Sequence, residues 1–149
     1  MEIAANGFIF SDDPARIDIA AVHHYLSTQS YWARDIPFET VMRAINGSLC
    51  FGIYQDSKQI GFARWITDKT TFAYLADVYT EEEYRGKGLM KQLMSLMLFH
   101  PDLQNLRRYQ LSTHDAHGLY SQFGFKPLEA PDNQMAIAIP NPYQKREDN

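Results

Sequence analysis

Apolar residues recur along the chain with two different periods, and the changes of period outline its elements. Near the start, Asp12-Asp13-Pro14 is a helix-opening signal, because proline suits a first turn whose amide has no partner anyway. Ile17, Ala20, Ala21 and Tyr25 follow at helical spacing and predict a helix over about 15–26. The stretch 27–37 breaks the pattern. A second helix then runs from Pro37-Phe38 through Val41, Met42 and Ile45 to the stop signal Asn46-Gly47.

From residue 48 the composition turns aromatic and branched. Strands are predicted over 48–54 and 59–66, and the polar stretch Gln55-Asp56-Ser57-Lys58 between them marks an antiparallel hairpin. A turn at 67–70 leads to a third strand over 71–80. Beyond Arg85-Gly86-Lys87-Gly88 the helical period returns, with Leu89, Leu93, Leu96 and Met97 on one face and Met90 and Met94 beside them. Pro101 closes that helix. A fourth strand over 107–112, a short helix over 115–123 and a last strand over 134–139 complete the pattern, and the polar tail 140–149 is expected to fray. The class is α/β (α+β), a mixed sheet with helices against it, in one domain over 1–149.

Composition narrows the function. Hydrophobic residues make up 45% and charged residues 21% of the 149, which excludes a disordered or fibrous chain. With 14 Lys and Arg against 18 Asp and Glu, the net charge of -4 supplies no general attraction to nucleic acid or an anionic membrane, and neither is expected as a partner. No apolar run is long enough to cross a membrane, and Met1–Asn6 has none of the regions of a signal peptide, so a soluble cytoplasmic protein is expected. The one cysteine, Cys50, excludes an internal disulfide and a Cys-rich zinc site; within Leu49-Cys50-Phe51 it reads as an inert buried thiol. Aromatics at 13% exceed what a minimal core needs, which leaves some of them to line a pocket.

Two segments carry candidate chemistry. In 75–90 a strand runs into the acidic turn Glu81-Glu82-Glu83, and Arg85-Gly86-Lys87-Gly88 then opens a helix. Unpaired amides at a helix N-terminus favour an anion, and glycines let a phosphate approach the backbone. The same glycines would also serve a plain tight turn. Neither the P-loop pattern nor G-x-G-x-x-G is present. The second segment, 111–125, contains Ala116-His117-Gly118-Leu119-Tyr120 and ends at Gly124-Phe125.

Together these segments resemble the GCN5-related N-acetyltransferase (GNAT) family. Arg85 and Gly88 match its diphosphate-binding pattern within Tyr-Arg-Gly-Lys-Gly, while Met90 stands where a small residue is usual. Ala116, Leu119, Tyr120, Gly124 and Phe125 match its later pattern, while Thr113 replaces a usual Asn. The motifs lie in the right order, about 35 residues apart, on the expected elements. Ser30-Tyr31-Trp32-Ala33-Arg34 also resembles a subgroup of small bacterial members without assigned acceptors.

The resemblance implies the GNAT fold, a mostly antiparallel sheet with a central splay and flanking helices, and acetyl-CoA as co-substrate. It implies that Val78 and Thr80 pair with pantetheine, that Arg85, Gly86, Lys87, Gly88, Leu89 and Met90 hold the diphosphate, and that Thr113 contributes to the cofactor site. Tyr120 would protonate the departing thiolate, and an amine would attack the acetyl carbon directly. Strict alternation puts Tyr74, Ala76, Val78 and Thr80 on one face and Asp77 on the other, so Asp77 can act as the base only if a bulge turns it; Tyr74 or water are the alternatives. Tyr31, Trp32 and Tyr74 are the acceptor-pocket candidates. The expected acceptor is a small-molecule amine. A peptide amine and a non-catalytic acyl-CoA-binding module are the rival readings, and a homodimer is left open. His114, Asp115 and His117 lack a fourth ligand, so no metal is expected.

Overall fold

The structure, a computed structural model, describes residues 1–144. Six strands form one sheet in chain order: β1 (Glu2–Ala5), β2 (Phe8–Ser11), β3 (Leu49–Gln55), β4 (Lys58–Thr67), β5 (Phe72–Thr80) and β6 (Arg108–Leu111). Every neighbouring pair is antiparallel except β5 and β6, which are parallel. Local chemistry sets the turns. The β3–β4 hairpin closes at Asp56, whose φ of 53° a short polar side chain tolerates. Before β5, the Asp68 carboxylate accepts the hydroxyl of Thr71 and the amides of Thr70, Thr71 and Phe72, which hold this acid well below the usual carboxylate range.

Helices cover both faces. On one side lie α1 (Ile19–Thr28) and α2 (Phe38–Asn46), which bury Val22, Leu26, Val41 and Ile45 against Cys50, Phe62 and Tyr79. On the other, α3 (Leu89–Leu98) buries Leu89, Leu93, Met94 and Met97 against Phe51, Ile53, Trp65 and Leu75. Trp65 Nε1 donates to Met97 Sδ at 3.2 Å, so the one polar atom of that indole is satisfied inside the core. A short helix, α4 (His117–Ser121), follows β6 and buries Tyr120. Cys50 is buried, and burial pushes its thiol up to about 12, which fits an inert side chain.

The structure departs from the sequence pattern in three places. β1 and β2 form a hairpin that the hydrophobic pattern does not outline, turned by Asn6 and Gly7, both at positive φ (53° and 84°); the Asn-Gly pair is its local signal. The first helix begins at Ile19, not 15. Pro14 opens only a short 3-10 turn, and the Asp18 side chain then caps α1 by accepting the amide of Ala21. The strand expected over 134–139 is not formed, and its residues are exposed. Of the tail expected to fray, 145–149 lie outside the described residues, while Tyr143 is half-buried against the α1–α2 core.

One topological feature positions everything below. β5 pairs with β6 only from Phe72 to Leu75, and then runs on to Thr80 without a partner on that side. The sheet splays there, and backbone donors and acceptors of Ala76–Thr80 open into a cleft. α3 packs against β3 and β5 beside the cleft. Leu93→Ala, which empties a fully buried position, should cost about 3 kcal/mol. In urea unfolding the midpoint should fall with the slope unchanged.

Candidate active site

The site grows from an irregularity in β5. Phe62 pairs with Tyr79 and Arg64 with Ala76, so β5 carries one residue more than β4 across this interval. The extra residue is accommodated at Asp77, which has φ of 53°. A bulge of this kind reverses the alternation of the strand. Leu75 and Val78 therefore pack on the α3 side, while Tyr79 and Asp77 face α1 and α2. Asp77 thus meets the condition set by its position, and its carboxylate lines the cleft.

That carboxylate is already occupied. One oxygen accepts Trp32 Nε1 at 2.7 Å and the other accepts Arg64 Nε at 2.6 Å. The Arg64–Asp77 pair is well buried, with side-chain exposures of 16% and 10%. Arg64 Nη1 also donates to Ser48 Oγ at 3.1 Å. A chain of charge-assisted hydrogen bonds thereby ties the α1–α2 loop to β5, β4 and the end of α2. Arg64 was not among the sequence candidates, although an arginine inside the apolar stretch 59–66 was a visible anomaly.

The loop between β5 and α3 follows. Gly86 and Gly88 have φ of 78° and 74°, and no heavy atom lies within 4 Å of where a Cβ would sit. No side chain caps α3, so its first amides face an open groove of about 230 Å³ bounded by Thr80, Arg85, Gly86, Gly88, Leu89 and Met90. Open first-turn amides, with glycines where a side chain would intrude, fit a diphosphate. Leu89 buries its side chain in the core and offers this groove its backbone. Lys87 is exposed and outside the groove lining. The Arg85 side chain folds back: Nε donates to the Thr80 carbonyl at 3.0 Å and Nη2 to Tyr25 Oη at 2.9 Å. Its guanidinium therefore clasps the loop to β5 and α1. Tyr25, stacked on Tyr79 at 3.9 Å, completes that clasp, a role its helical spacing alone does not show.

The groove shares Thr80, Arg85, Met90 and Leu119 with a larger cavity of about 940 Å³. That cavity brings together Tyr31, Trp32, Tyr74, Asp77, Val78, Thr113 and Tyr120, and adds Arg64, His114 and Tyr143. Tyr31 meets Trp32 and His114 edge-on, each at 5.0 Å between centroids. Tyr74 Oη donates to Ser112 Oγ at 3.0 Å across the splay. Thr113 Oγ1 accepts the amide of Ala116 at 3.0 Å, which shapes the turn into α4. Tyr120 is held edge-on against Phe125. Burial, with smaller effects from Tyr31 and Asp115, pushes its phenol up to about 12, so the hydroxyl keeps its proton across the neutral range.

Comparison with known proteins places this arrangement. Residues 46–127 match the acetyltransferase (GNAT) domain. A crystal structure from Xanthomonas campestris pv. campestris, described as belonging to the GNAT family, shares 46% identity over 95% of this chain and 100% of its own, with a TM-score of 0.92. The FG08082 protein of Gibberella zeae, an acetyltransferase by name, is 30% identical over 155 residues, 89% of this chain and 86% of its own length. A Clostridium acetobutylicum structure with acetyl-CoA shares the fold at 16% identity, covering 88% of this chain and 94% of its own, with a TM-score of 0.63.

The chain belongs to the GNAT acetyltransferase family and is an enzyme of that class, whose members use acetyl-CoA. Among the described residues no helix is long and apolar enough to span a membrane.

The buried ion pair makes a direct prediction. Asp77→Ala strands the Arg64 guanidinium without its carboxylate and should destabilise the fold by about 3 kcal/mol. It also releases Trp32, so the indole emission in the folded state should move to longer wavelength.

Proposed function

We propose that this enzyme transfers acetyl from acetyl-CoA to the primary amine of a small molecule. The observation that carries this reading is the aromatic cavity contiguous with the α3 groove, walled by Tyr31, Trp32, Tyr74 and Tyr143. A concave, aromatic-lined space with a few polar groups suits a small molecule better than a peptide surface. Its aromatic walls also suit a cationic amine.

When bound, acetyl-CoA supplies an acetyl group activated as a thioester. The open amides of Gly86, Gly88, Leu89 and Met90 take the diphosphate. The backbone of Val78 and the amide of Thr80, on the side of β5 that β6 leaves open, pair with the pantetheine arm, and a β5 amide polarises the carbonyl. The amine nitrogen forms its bond to the acetyl carbon as the carbon–sulfur bond breaks. Tyr120 donates to the departing sulfur. With the phenol near 12 and an alkyl thiol near about 8.5, full proton transfer is uphill, so the hydrogen bond itself is the main contribution and solvent restores any proton given up.

Asp77 faces the acceptor, yet both its oxygens already hold donors. It serves as a positioning residue that keeps Trp32 over the cavity, and water takes the proton lost by the amine.

Two measurements test this reading. Thiol release should be followed with polyamines, amino acids, aminoglycosides and peptides; a small amine should be the good acceptor, and turnover confined to peptides overturns the assignment. Tyr120→Phe should lower kcat by about 10²-fold or more, leaving the thermal stabilisation by acetyl-CoA unchanged. Unchanged kcat would remove Tyr120 from the mechanism. The wild-type pH–rate profile should show no loss of activity from phenol ionisation between pH 7 and pH 9, since a raised pKa extends the protonated form upward (about 12).

A further inference from the structure

Arg64 has donors that the fold does not use. A guanidinium offers N–H groups on every nitrogen. Nε donates to Asp77 Oδ2 and Nη1 to Ser48 Oγ, while Nη2 donates to no described residue. The side-chain polar atoms that are both enclosed and unpartnered among the described residues are Tyr54 Oη, Gln59 Nε2 and Tyr79 Oη. Nη2 is not one of them, so it keeps an open side. Arg64 lines the large cavity, and that open side is the cavity side.

The remaining polar groups of the cavity wall share this bias. Both Asp77 oxygens are taken, one by Arg64 and one by Trp32. Ser112 Oγ accepts from Tyr74 Oη and Thr113 Oγ1 from the Ala116 amide, and neither hydroxyl donates to another described residue. The free groups from β4 to the end of β6 are therefore donors. The other carboxylate of the wall, Asp115, makes no hydrogen bond and stands exposed beyond β6, where its charge acts on Tyr120. Such a wall suits a ligand that is negative at the β4 side and positive towards Tyr120.

Arg64 is also in reach of the reacting position. It pairs with Ala76 in the β4–β5 ladder, and adjacent strands lie about 4.8 Å apart. An anchor there holds a group only a few bonds from a nitrogen that attacks at the open side of β5. Asp77 and Ser48 fix the guanidinium from two sides, so little freedom is left to lose on binding. The ion pair is neutral as a whole and draws no anion from a distance. At hydrogen-bond range, however, a guanidinium bonds a carboxylate more strongly than a neutral oxygen.

We propose that the acceptor amine carries a carboxylate close to its nitrogen, as a free amino acid does, and that this carboxylate accepts from Arg64 Nη2. The inference rests on a small amine being the acceptor and names its class. The products are an N-acetyl amino acid and the free thiol of CoA.

The wild-type enzyme provides the first test. Phenylalanine, serine and lysine are each compared with the decarboxylated amine and with the carboxamide, with kcat/KM referred to the free-base amine. The amino acid should exceed both analogues by about tenfold or more in at least one set, the worth of a hydrogen bond to a charged group. An analogue equal to or better than its acid in every set overturns the proposal and leaves the small-amine reading standing. Turnover with no small amine at all removes both. Arg64→Lys keeps a cation opposite Asp77 without a second nitrogen to offer. With stabilisation by acetyl-CoA retained, the ratio of acid to decarboxylated amine should fall to about one, chiefly through the KM of the acid; a ratio that persists places the carboxylate elsewhere and overturns the proposal. Should the variant fold poorly, phenylglyoxal labelling of wild-type Arg64, mapped by mass spectrometry, takes its place. The amino acid should block labelling and its decarboxylated amine should not; equal labelling with both overturns the assignment.

Discussion

The buried pairing of Arg64 with Asp77 is the constraint on which the site depends. A bulge in the middle of a sheet costs ladder hydrogen bonds and places a non-glycine residue at positive φ. Here the compensation comes from a charge-assisted bond to Arg64 on the adjacent strand and a second to Trp32 from the loop above. Because Asp77 is turned, the alternation of β5 reverses after it. Tyr79 then reaches Tyr25 on α1, and Tyr25 in turn receives Arg85 from the loop before α3. One local irregularity thus connects the acceptor wall to the diphosphate loop.

The splay of the sheet is the second half of the same design. β5 leaves β6 at Leu75, one residue before the stretch that contains the bulge. A strand that stayed paired on both sides would have no backbone to offer a ligand. A strand free on one side and anchored on the other by the β4 ladder offers an ordered row of donors and acceptors. Tyr74 bridging to Ser112 holds the mouth of the splay at its narrow end. Tyr120 hangs from α4 on the far side, its ring fixed by Phe125, so rigid elements border the cleft on both flanks.

Much of this was legible in the residues. The helical period of 89–97, the hairpin at 48–66 and the two family motifs all correspond to what the fold contains, because each rests on local periodicity or on glycine geometry. The candidates Tyr31, Trp32, Tyr74, Asp77, Val78, Thr80, Arg85, Met90, Thr113 and Tyr120 all line the large cavity. What was illegible depended on partners remote in sequence. The inward turn of Arg85 requires Tyr25, 60 positions away, and the role of Asp77 requires Trp32, 45 positions away. The first helix starts later than the pattern suggests because Asp13 and Pro14 open only a 3-10 turn, while Asp18 caps α1.

The sequence by itself determined the family, the order of most elements and the chemistry available: a glycine turn before an amphipathic helix, a tyrosine in its motif, and a supply of aromatics. These follow from short-range sterics and periodicity, which a chain carries wherever it is read. Only the tertiary structure decided which way Asp77 faces, what Arg85 and Arg64 hold, and that 134–139 forms no strand with the other described residues. Each of those outcomes turns on register between strands. A shift of one residue exchanges the two faces of a strand, and side chains from distant segments select which register prevails.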